Sequence, residues 1–434
     1  MTRTEERLAD ALDAAARALR EDTLRPLLVP QRPRGRAAWT APAAAAASLL
    51  LLVGIAAAVA RHLPWSGRPS SATPPPRYYV ETDLHGDLPV VRSTATGAVT
   101  DTVQVPHLRS PLGPYLVTAA ANGLFFTVVP AATGVQIYRF RLTAAGRVSS
   151  LKALPGGALP GIQLAPQAVA ASRDGSRVAV ALMPSAGVAP AGCSAPGGCP
   201  SPMSSGQDDQ IDVVNTATGL TSVWQGGIAQ DYMFSVTSLS WTGNGNELVY
   251  YGEWCPQGSP STQGSTTSIT LSACQPGAST SGARAEVWAL NPVSNGGPLN
   301  SGQRLFSASG EFSYLPQVLI SPDGTTLTAL ALTGPANGAG TPRDLAVERI
   351  SLAKPRRSGL LYKQDLGRIA VVHGKPAYLY STTLSADAAG QYWMLSSGFC
   401  NTDDLCQGGF SGWIDGGRLV PFPPVPGSVA SEAW

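Results

Sequence analysis

Two strand–turn–strand signatures alternate along the chain from Tyr78 onward, and they constrain the fold more than any other sequence feature. In the first signature an Asp-Gly or Asn-Gly turn joins two apolar runs, because these residues tolerate the positive φ of a tight hairpin. Copies of the first signature lie at 116–129, 168–182, 238–252, 318–332 and, less regularly, 382–396. The second signature has a Thr-x-Thr-Gly turn, and its copies lie at 90–103, 213–224 and, less regularly, 140–151.

The alternation of the two hairpins predicts units of four antiparallel strands, which is the pattern of β-propeller blades. Units with both hairpins lie at 113–153, 164–226, 233–308, 312–364 and 376–423. The segment 78–105 supplies only three strands, and a strand near Gly427–Ala433 would complete another blade and remove exposed sheet edges. We therefore predict an all-β fold, a six-bladed β-propeller over residues 78–434. Seven blades are the alternative count, and a pair of β-sandwiches is the alternative fold.

The turn sequences S-R-D-G at 172–175 and S-P-D-G at 321–324 carry a family resemblance. Their strand pairs resemble those of TolB-like and WD-repeat-like β-propellers, over about residues 78–425. The layout of the whole chain is also similar to single-pass propeller proteins of actinobacteria. The resemblance implies a propeller ectodomain held on a single membrane anchor.

The 24 residues from 37 to 60 carry no charge and are numerous enough to cross a bilayer as a helix. Trp39 and Trp65 bracket the stretch, at the depth that amphipathic rings prefer. A small excess of arginine before it favours a cytoplasmic N-terminus. We therefore predict one transmembrane helix at 37–60. A cleaved signal peptide is the alternative, because Ala58-Val59-Ala60 fits a cleavage site, and either reading exports the C-terminal part.

The segments on either side of the predicted span have different characters. Residues 1–36 are predicted to be cytoplasmic, with one helix at 3–21 whose apolar stripe consists of Leu8, Leu12, Ala15 and Leu19. That stripe predicts either docking on a cytoplasmic regulator or a solvated helix that lies on the lipid surface. Residues 61–77, rich in Pro and Ser, are predicted to be an extended linker to the propeller.

Every cysteine lies beyond the predicted span, at Cys193, Cys199, Cys255, Cys274, Cys400 and Cys406. Pairing of neighbours in the sequence is the connectivity we favour, although spacing alone leaves other connectivities open. No C-x-x-C motif occurs, and the 4 histidines are scattered without metal-ligand spacing. We therefore predict disulfides formed in an oxidising compartment, and no metal site.

In the predicted propeller, the three cysteine pairs fall in loops between the second and third strands of three blades. These loops share one face with the connectors between blades, whereas the tight turns emerge on the opposite face. Binding residues concentrate on loops held by a rigid scaffold, so we predict that this face binds the ligand. The candidate contacts are Asp208, Asp209, Trp254, Asp403, Asp404 and Trp413. The alternative is that the disulfides stabilise Ser- and Gly-rich loops with no further role.

Searches for cofactor and enzyme motifs give negative results. The paired carboxylates at 208–209 and 403–404 suit calcium chemically, but neither pair resembles an EF-hand loop, so no cofactor is predicted. GGFSG at 408–412 lacks G-x-S-x-G spacing, and GNG at 243–245 is a hairpin turn. Prolyl-oligopeptidase-like enzymes need a hydrolase domain for which the chain has no room. We therefore predict a protein that is not an enzyme.

These observations leave three hypotheses about function. The first is a membrane-anchored extracytoplasmic propeller that binds a protein, peptide or envelope ligand through its loops. The second is an anti-sigma-like transmembrane regulator that signals through the N-terminal helix, and the third is a propeller hydrolase or lyase. Nucleic acid is not a predicted partner, because the net charge is only +2 and 13% of the residues are charged.

Overall fold

The computed structural model describes residues 75–83, 87–106, 114–131, 134–160, 164–184, 209–226, 232–256, 284–292, 296–308, 315–333, 343–354, 356–366, 371–372, 375–387, 389–401, 406–423 and 429–434. Within these ranges the chain forms six β-sheets and a 3₁₀ turn at Leu299–Ser301. None of the described helical structure is long and apolar enough to cross a bilayer. The predicted helices at 3–21 and 37–60 lie outside the described residues.

The six sheets are the blades of a propeller, and each begins with a strand that lines one central channel. Blade 6 contains β1 (Tyr78–Asp83), β2 (Val90–Ser93), β3 (Val99–Thr102) and the last strand, β26 (Val429–Ala433). Blade 1 contains β4 (Leu116–Ala120), β5 (Leu124–Ala131), β6 (Gly134–Leu142) and β7 (Val148–Pro160). Blade 2 contains β8 (Leu164–Ala171), β9 (Arg177–Pro184), β10 (Gln210–Asn215) and β11 (Thr221–Gln225).

The remaining three blades repeat the same order of strands. Blade 3 contains β12 (Tyr232–Trp241), β13 (Leu248–Pro256), β14 (Arg284–Leu290) and β16 (Gln303–Ala308), while the short β15 (Gly296–Gly297) joins the sheet of blade 2. Blade 4 contains β17 (Gln317–Ile320), β18 (Thr326–Thr333), β19 (Asp344–Ser351) and β20 (Arg356–Asp365). Blade 5 contains β21 (Val371–Val372), β22 (Lys375–Ala386), β23 (Trp393–Asn401), β24 (Cys406–Asp415) and β25 (Arg418–Pro421).

The C-terminal strand closes the ring. β26 is the innermost strand of blade 6 and pairs antiparallel with β1, so that Val80 lies opposite Ala433 and Glu81 opposite Glu432. The prediction of six blades, with the sixth completed from the C-terminal tail, is therefore confirmed. Seven blades and a pair of β-sandwiches were the wrong alternatives.

The predicted Asp-Gly hairpins form for the local reason expected of them. In the turn between β8 and β9, the Asp174 Oδ1 atom accepts hydrogen bonds from the Ser172 hydroxyl at 2.7 Å and from the Ser176 backbone N–H at 3.0 Å. Gly175 follows with φ of +71°. The turn between β17 and β18 has the equivalent backbone hydrogen bond: the Thr325 N–H donates to the Asp323 Oδ1 atom at 3.1 Å.

One short strand links two neighbouring blades, and the sequence does not predict it. β15 lies in the connection between β14 and β16 of blade 3, yet it pairs in parallel with β11 of blade 2, where Val223 lies opposite Gly296. A Cβ at Gly296 would lie 2.1 Å from the Val223 carbonyl oxygen, so this close approach of backbones requires glycine.

The hydrophobic core is divided into six clusters, one in each gap between adjacent blades. Five of these clusters contain mainly aliphatic residues with a few aromatic rings. The gap between blades 5 and 6 is different, since four of its five fully buried members are aromatic: Tyr79, Tyr392, Phe422 and Trp434, with Met394 as the fifth. Tyr79 and Phe422 stack with ring centroids 4.5 Å apart. Aromatic side chains thus fill most of the gap between blades 5 and 6, which we call the seam.

Along the channel the inner strands pair with no further strand among the described residues, except where the short β21 meets the start of β22. Side chains of adjacent blades satisfy some of their backbone groups instead. The Ser431 hydroxyl of β26 donates to the Val117 carbonyl of β4 at 3.0 Å and accepts from the Val117 N–H at 3.2 Å. The Ser238 hydroxyl of β12 makes the same pair of bonds to Val318 of β17, at 2.9 and 3.1 Å. One serine therefore replaces both partners that a strand would supply.

Hydrogen bonds from side chains also cross the other four junctions between inner strands. They run from Ala171 N–H to Thr118 Oγ1, from Leu384 N–H to Gln317 Oε1, from Trp241 Nε1–H to the Ala170 carbonyl, and from the Thr383 hydroxyl to Glu432 Oε2. Every neighbouring pair of blades is thus linked at the channel as well as through its apolar cluster.

Ser431→Ala tests this linkage at the junction between blades 6 and 1. Losing the hydroxyl leaves the Val117 N–H and carbonyl without their partner, so we expect the free energy of unfolding to fall by about 1–3 kcal/mol in urea titration. Ser385→Ala is the matched control, because the Ser385 hydroxyl also lies on an inner strand and has no hydrogen-bond partner among the described residues. Equal effects of the two substitutions would contradict the linkage.

Candidate functional site

The propeller has two faces of different construction. What we call the loop face carries the connectors between blades and the loops between the second and third strands of each blade. These loops lie at 84–89, 132–133, 185–209, 257–283, 334–343 and 402–405. What we call the hairpin face carries the tight turns at 94–98, 121–123, 143–147, 172–176, 216–220, 242–247, 321–325, 387–392 and 416–417. The predicted division into two faces follows from this order of strands.

The predicted contact residues fall at several places. Asp208, Asp403 and Asp404 lie outside the described residues. Asp209 is at the loop face but only 1% exposed, and its Oδ2 atom accepts a hydrogen bond of 2.7 Å from the backbone N–H of Val236 on β12. Its carboxylate therefore ties blade 2 to blade 3.

The two tryptophans of the predicted site lie at opposite ends of their blades. Trp254 is near the loop-face end of β13, opposite Phe234 in the register. Trp413 is near the other end of β24, three residues before the turn at 416–417 that belongs to the hairpin face. It packs edge-on against Tyr392, with ring centroids 5.6 Å apart. The expected position of Trp413 on the loop face is therefore corrected, because β24 runs from the loop face at Cys406 to the hairpin face at Asp415.

The cysteines that the structure describes lie at the loop-face ends of strands. Cys400 of β23 is buried and lies opposite Cys406 of β24. Residues directly opposite in antiparallel strands have the Cα separation that a disulfide requires. Cys255 lies at the end of β13, opposite Met233. Cys193, Cys199 and Cys274 lie outside the described residues, so those two predicted pairs remain predictions.

The central channel is the cavity that all six inner strands share. Its volume is about 200 Å³, and its polar lining includes Thr118, Gln167, Arg173, Ser240, Gln317 and Asp387. Pockets for small-molecule ligands usually measure about 300–1,000 Å³, so this channel is smaller than a typical pocket of that kind.

Buried carboxylates occupy the seam between blades 5 and 6. Glu81 and Glu432 lie directly opposite each other on β1 and β26 and are only 7% and 5% exposed. The Glu81 carboxylate accepts a hydrogen bond from the Arg92 guanidinium. The Glu432 carboxyl is bonded by the Ser396 hydroxyl at 2.9 Å and by the Thr383 hydroxyl at 3.4 Å. The arginine thus pairs with Glu81, while Glu432 is bonded by hydroxyls.

Burial is the main cause of the shifted pKa values at this seam. Burial, followed by the charge of the neighbouring Glu81, raises the pKa of Glu432 to about 8, while hydrogen bonds from the two hydroxyls oppose the shift. Burial also raises the pKa of Glu81, against the opposing charge of Arg92. Glu432 therefore keeps its proton at neutral pH and adds no negative charge opposite Glu81.

Two further buried acids lie in other blades. Burial raises the pKa of Glu253 on β13 to about 7, against a hydrogen bond from the Tyr251 side chain. Burial raises the pKa of Asp212 on β10 to about 6, against a hydrogen bond from Gln210. Glu253, Asp212 and Glu432 belong to three different blades. Among the described residues no three His, Cys, Asp or Glu side chains are grouped closely enough to hold a metal ion.

Sequence reasoning did not single out Glu81, Glu253 or Glu432. The sequence does mark two of these acids, because Glu81 and Glu432 are the single charged residues in the short runs YYVET and VASEA. A carboxylate that is fully buried in a strand almost always has a partner. The partner of each acid, however, depends on the pairing of the two ends of the chain.

Comparison with protein-family models gives no match for this chain, and comparison with curated proteins gives none either. Among solved structures, TolB from Acinetobacter baumannii is similar with a TM-score of 0.39 and 13% identity, over 82% of this chain and 65% of TolB. Hydrazine synthase of Kuenenia stuttgartiensis has a TM-score of 0.33 and 12% identity, over 74% of this chain and 71% of that chain.

A prolyl endopeptidase is similar with a TM-score of 0.34 and 17% identity, over 73% of this chain and 44% of the endopeptidase. The chain thus spans less than two thirds of the endopeptidase and of TolB. All of these identities are low and the TM-scores lie below 0.5, so the six-bladed fold rests on the sheets of the structure itself. A propeller of this kind is consistent with a binding domain that has no catalytic activity.

Glu432→Gln is expected to change how stability depends on pH. The folded protein keeps the Glu432 proton up to a pKa of about 8, whereas the unfolded chain loses it near 4.5. The folded state thus binds more protons between these values, and the free energy of unfolding must fall as pH rises from about 4.5 to 8. Urea titrations across this range should show a smaller fall in the variant, which is neutral throughout.

Glu247→Gln, at an exposed position on the hairpin face, is the matched control and should leave the fall unchanged. The variant and the wild-type protein should be nearly equal in stability near pH 4.5 and should differ most above pH 8. An identical slope in all three proteins would contradict the assignment of a protonated Glu432 to the seam.

Proposed function

We propose that this protein is a membrane-anchored extracytoplasmic β-propeller that binds a protein, peptide or envelope ligand through its loop face, without catalysing a reaction. The observation that carries the proposal is the unequal distribution of chain length between the faces. The connections at 185–209 and 257–283 leave from the loop face, while hairpins such as 121–123 and 172–176 turn at once. Long loops in a compact domain are commonly functional.

The point at which the chain enters the propeller supports the same orientation. The Thr94 hydroxyl donates a hydrogen bond of 3.0 Å to the Pro76 carbonyl, and Thr94 N–H donates to the Arg77 carbonyl at 3.0 Å. Thr94 lies in the turn between β2 and β3, so these bonds fix the segment just before β1 on the hairpin face. A membrane anchor that precedes this segment would leave the loop face on the side away from the tether.

We also assign three disulfides to the loop face. Cys400 and Cys406 lie opposite each other at the loop-face ends of their strands, which supports the pair Cys400–Cys406. By the same logic of neighbouring positions, Cys193 pairs with Cys199 and Cys255 with Cys274. Each bond would cross-link a loop and lower the entropy lost when a ligand binds.

The absence of catalysis in this proposal rests on the distribution of polar groups. The buried acids with raised pKa values lie in three blades and are each surrounded by strands. An enzyme site would need an acid and a base within reach of one substrate. A binding function through the loops needs no such arrangement.

A photo-activatable amino acid placed on each face of blade 6 tests the proposal in cells. Asp87, on the loop face, and Thr96, on the hairpin face, are both exposed and belong to the same blade. We expect irradiation to give a discrete covalent adduct from position 87 and none of that mass from position 96. Deleting residues 257–283 should reduce the yield of the adduct from position 87.

Position 96 is the internal control, because it lies in the same blade as position 87 and both variants should reach the membrane fraction in equal amounts. A discrete adduct from position 96 alone, or the same adduct from both positions, would show that the loop face is not the binding surface. Recovery of the whole protein in the soluble fraction would contradict the anchor without affecting the comparison of faces.

A further inference from the structure

A group of exposed arginines lies on the hairpin face beside the point where the chain enters the propeller. Arg77 precedes β1 of blade 6, Arg141 and Arg147 flank the turn between β6 and β7 of blade 1, and Arg173 lies in the first turn of blade 2. All four side chains are exposed. We call this set the arginine crescent.

Contacts between blades 6 and 1 bring the first members together. The guanidinium of Arg77 lies 5.9 Å from the centroid of the Tyr78 ring. Gly146 lies against the same ring. The Arg147 Nη1 atom donates a hydrogen bond of 2.5 Å to the Thr100 carbonyl of β3. Arg77 and Arg147 are therefore on either side of one junction.

Contacts between blades 1 and 2 continue the crescent. The Arg141 Nη1 atom donates a hydrogen bond of 2.9 Å to the Asn122 carbonyl. The neighbouring Ala121 N–H donates to the backbone carbonyl of Arg173 at 2.8 Å. The turn at 121–123 thus joins Arg141 to Arg173, and the crescent is continuous over three blades.

The charges of the crescent are not neutralised locally. Two carboxylates are near, and both are engaged with backbone N–H groups: Asp101 accepts from Val148 and Asp174 accepts from Ser176. Four arginines against two aspartates leave a net charge of +2 at this place. The segment 61–77 that leads into the crescent contains three arginines and no acidic residue, so the positive charge extends along the linker.

We propose that the arginine crescent binds the phosphate groups of anionic phospholipids, so that the propeller rests on the bilayer with its hairpin face. The guanidinium fork matches phosphate geometry and remains charged at any physiological pH. The inference rests on the proposed anchor, since a linker of 17 residues spans at most about 60 Å and keeps the crescent near the lipid. It adds a second lipid contact to the predicted helix and sets the direction in which the loop face points.

Hydrogen exchange of the full chain in lipid nanodiscs tests the proposal. Turns 121–123 and 143–147 should exchange more slowly in nanodiscs of phosphatidylglycerol than in nanodiscs of phosphatidylcholine, and the difference should disappear at high salt. The loop at 84–89 should exchange equally in both lipids. Each unit of positive charge contributes about fivefold to binding of an anionic surface, so Arg147→Glu, which changes the charge by two units, should weaken docking about twenty-five-fold.

Arg343→Glu is the matched control, because Arg343 is an exposed arginine at the loop face. It should leave the lipid-dependent protection unchanged. Equal exchange in the two lipids, or equal effects of the two substitutions, would overturn the proposal. Failure of the chain to insert would overturn the anchor instead, and anionic nanodiscs added from outside would still report on the crescent.

Discussion

The inner edges of six strands meet around one channel, and the structure must supply partners for the backbone groups along these edges. A strand edge exposes N–H and carbonyl groups that must find partners or invite another chain to pair. Here the side chains of one inner strand reach the backbone of the next, as Ser431 does for Val117 and Ser238 does for Val318. The full set of these hydrogen bonds forms only in a closed ring, because the backbone groups of each inner strand need side chains from a neighbouring blade.

Closure of the ring rests on one short strand from the C-terminal end of the chain. β26 supplies the inner strand of blade 6, the serine that serves blade 1, and one acid of the seam with blade 5. The seam combines stacked rings with the Glu81–Glu432 pair, whereas the other gaps are filled mainly by aliphatic side chains. A seam that includes a titratable pair is more sensitive to pH than an aliphatic one, and it lies where the first and last of the described strands meet.

The same closure separates the two faces by role. Because β1 begins and β26 ends on the hairpin face, the entry of the chain into β1 and the arginines of blades 6, 1 and 2 share that side. The long connections leave from the other side. Anchoring and ligand binding, as proposed, would therefore use opposite faces of one rigid scaffold, and a change in one loop need not disturb the attachment.

The parts of the structure that depend on local chemistry could be predicted from the sequence. The S-x-D-G turns follow from hydrogen bonds between an aspartate and residues two positions away, and the sixth blade followed from a count of strands. The location of Trp413 required knowing which way β24 runs relative to the loops. The pairing of β15 with β11, and of Glu81 with Glu432, depends on register between segments far apart in the sequence, for which no local pattern exists.

The register of β26 against β1 is the central claim, and an engineered disulfide measures it most directly. Val80 and Ala433 lie opposite each other, on the side of the sheet that faces blade 1. In a chain carrying Val80→Cys and Ala433→Cys, the account predicts spontaneous formation of a bond between residues 80 and 433, identified by mass spectrometry. A chain carrying Val80→Cys and Glu432→Cys should not form one, because residue 432 points to the other side. Failure of the first pair, or equal linkage in both, would contradict closure of the ring by the C-terminal strand.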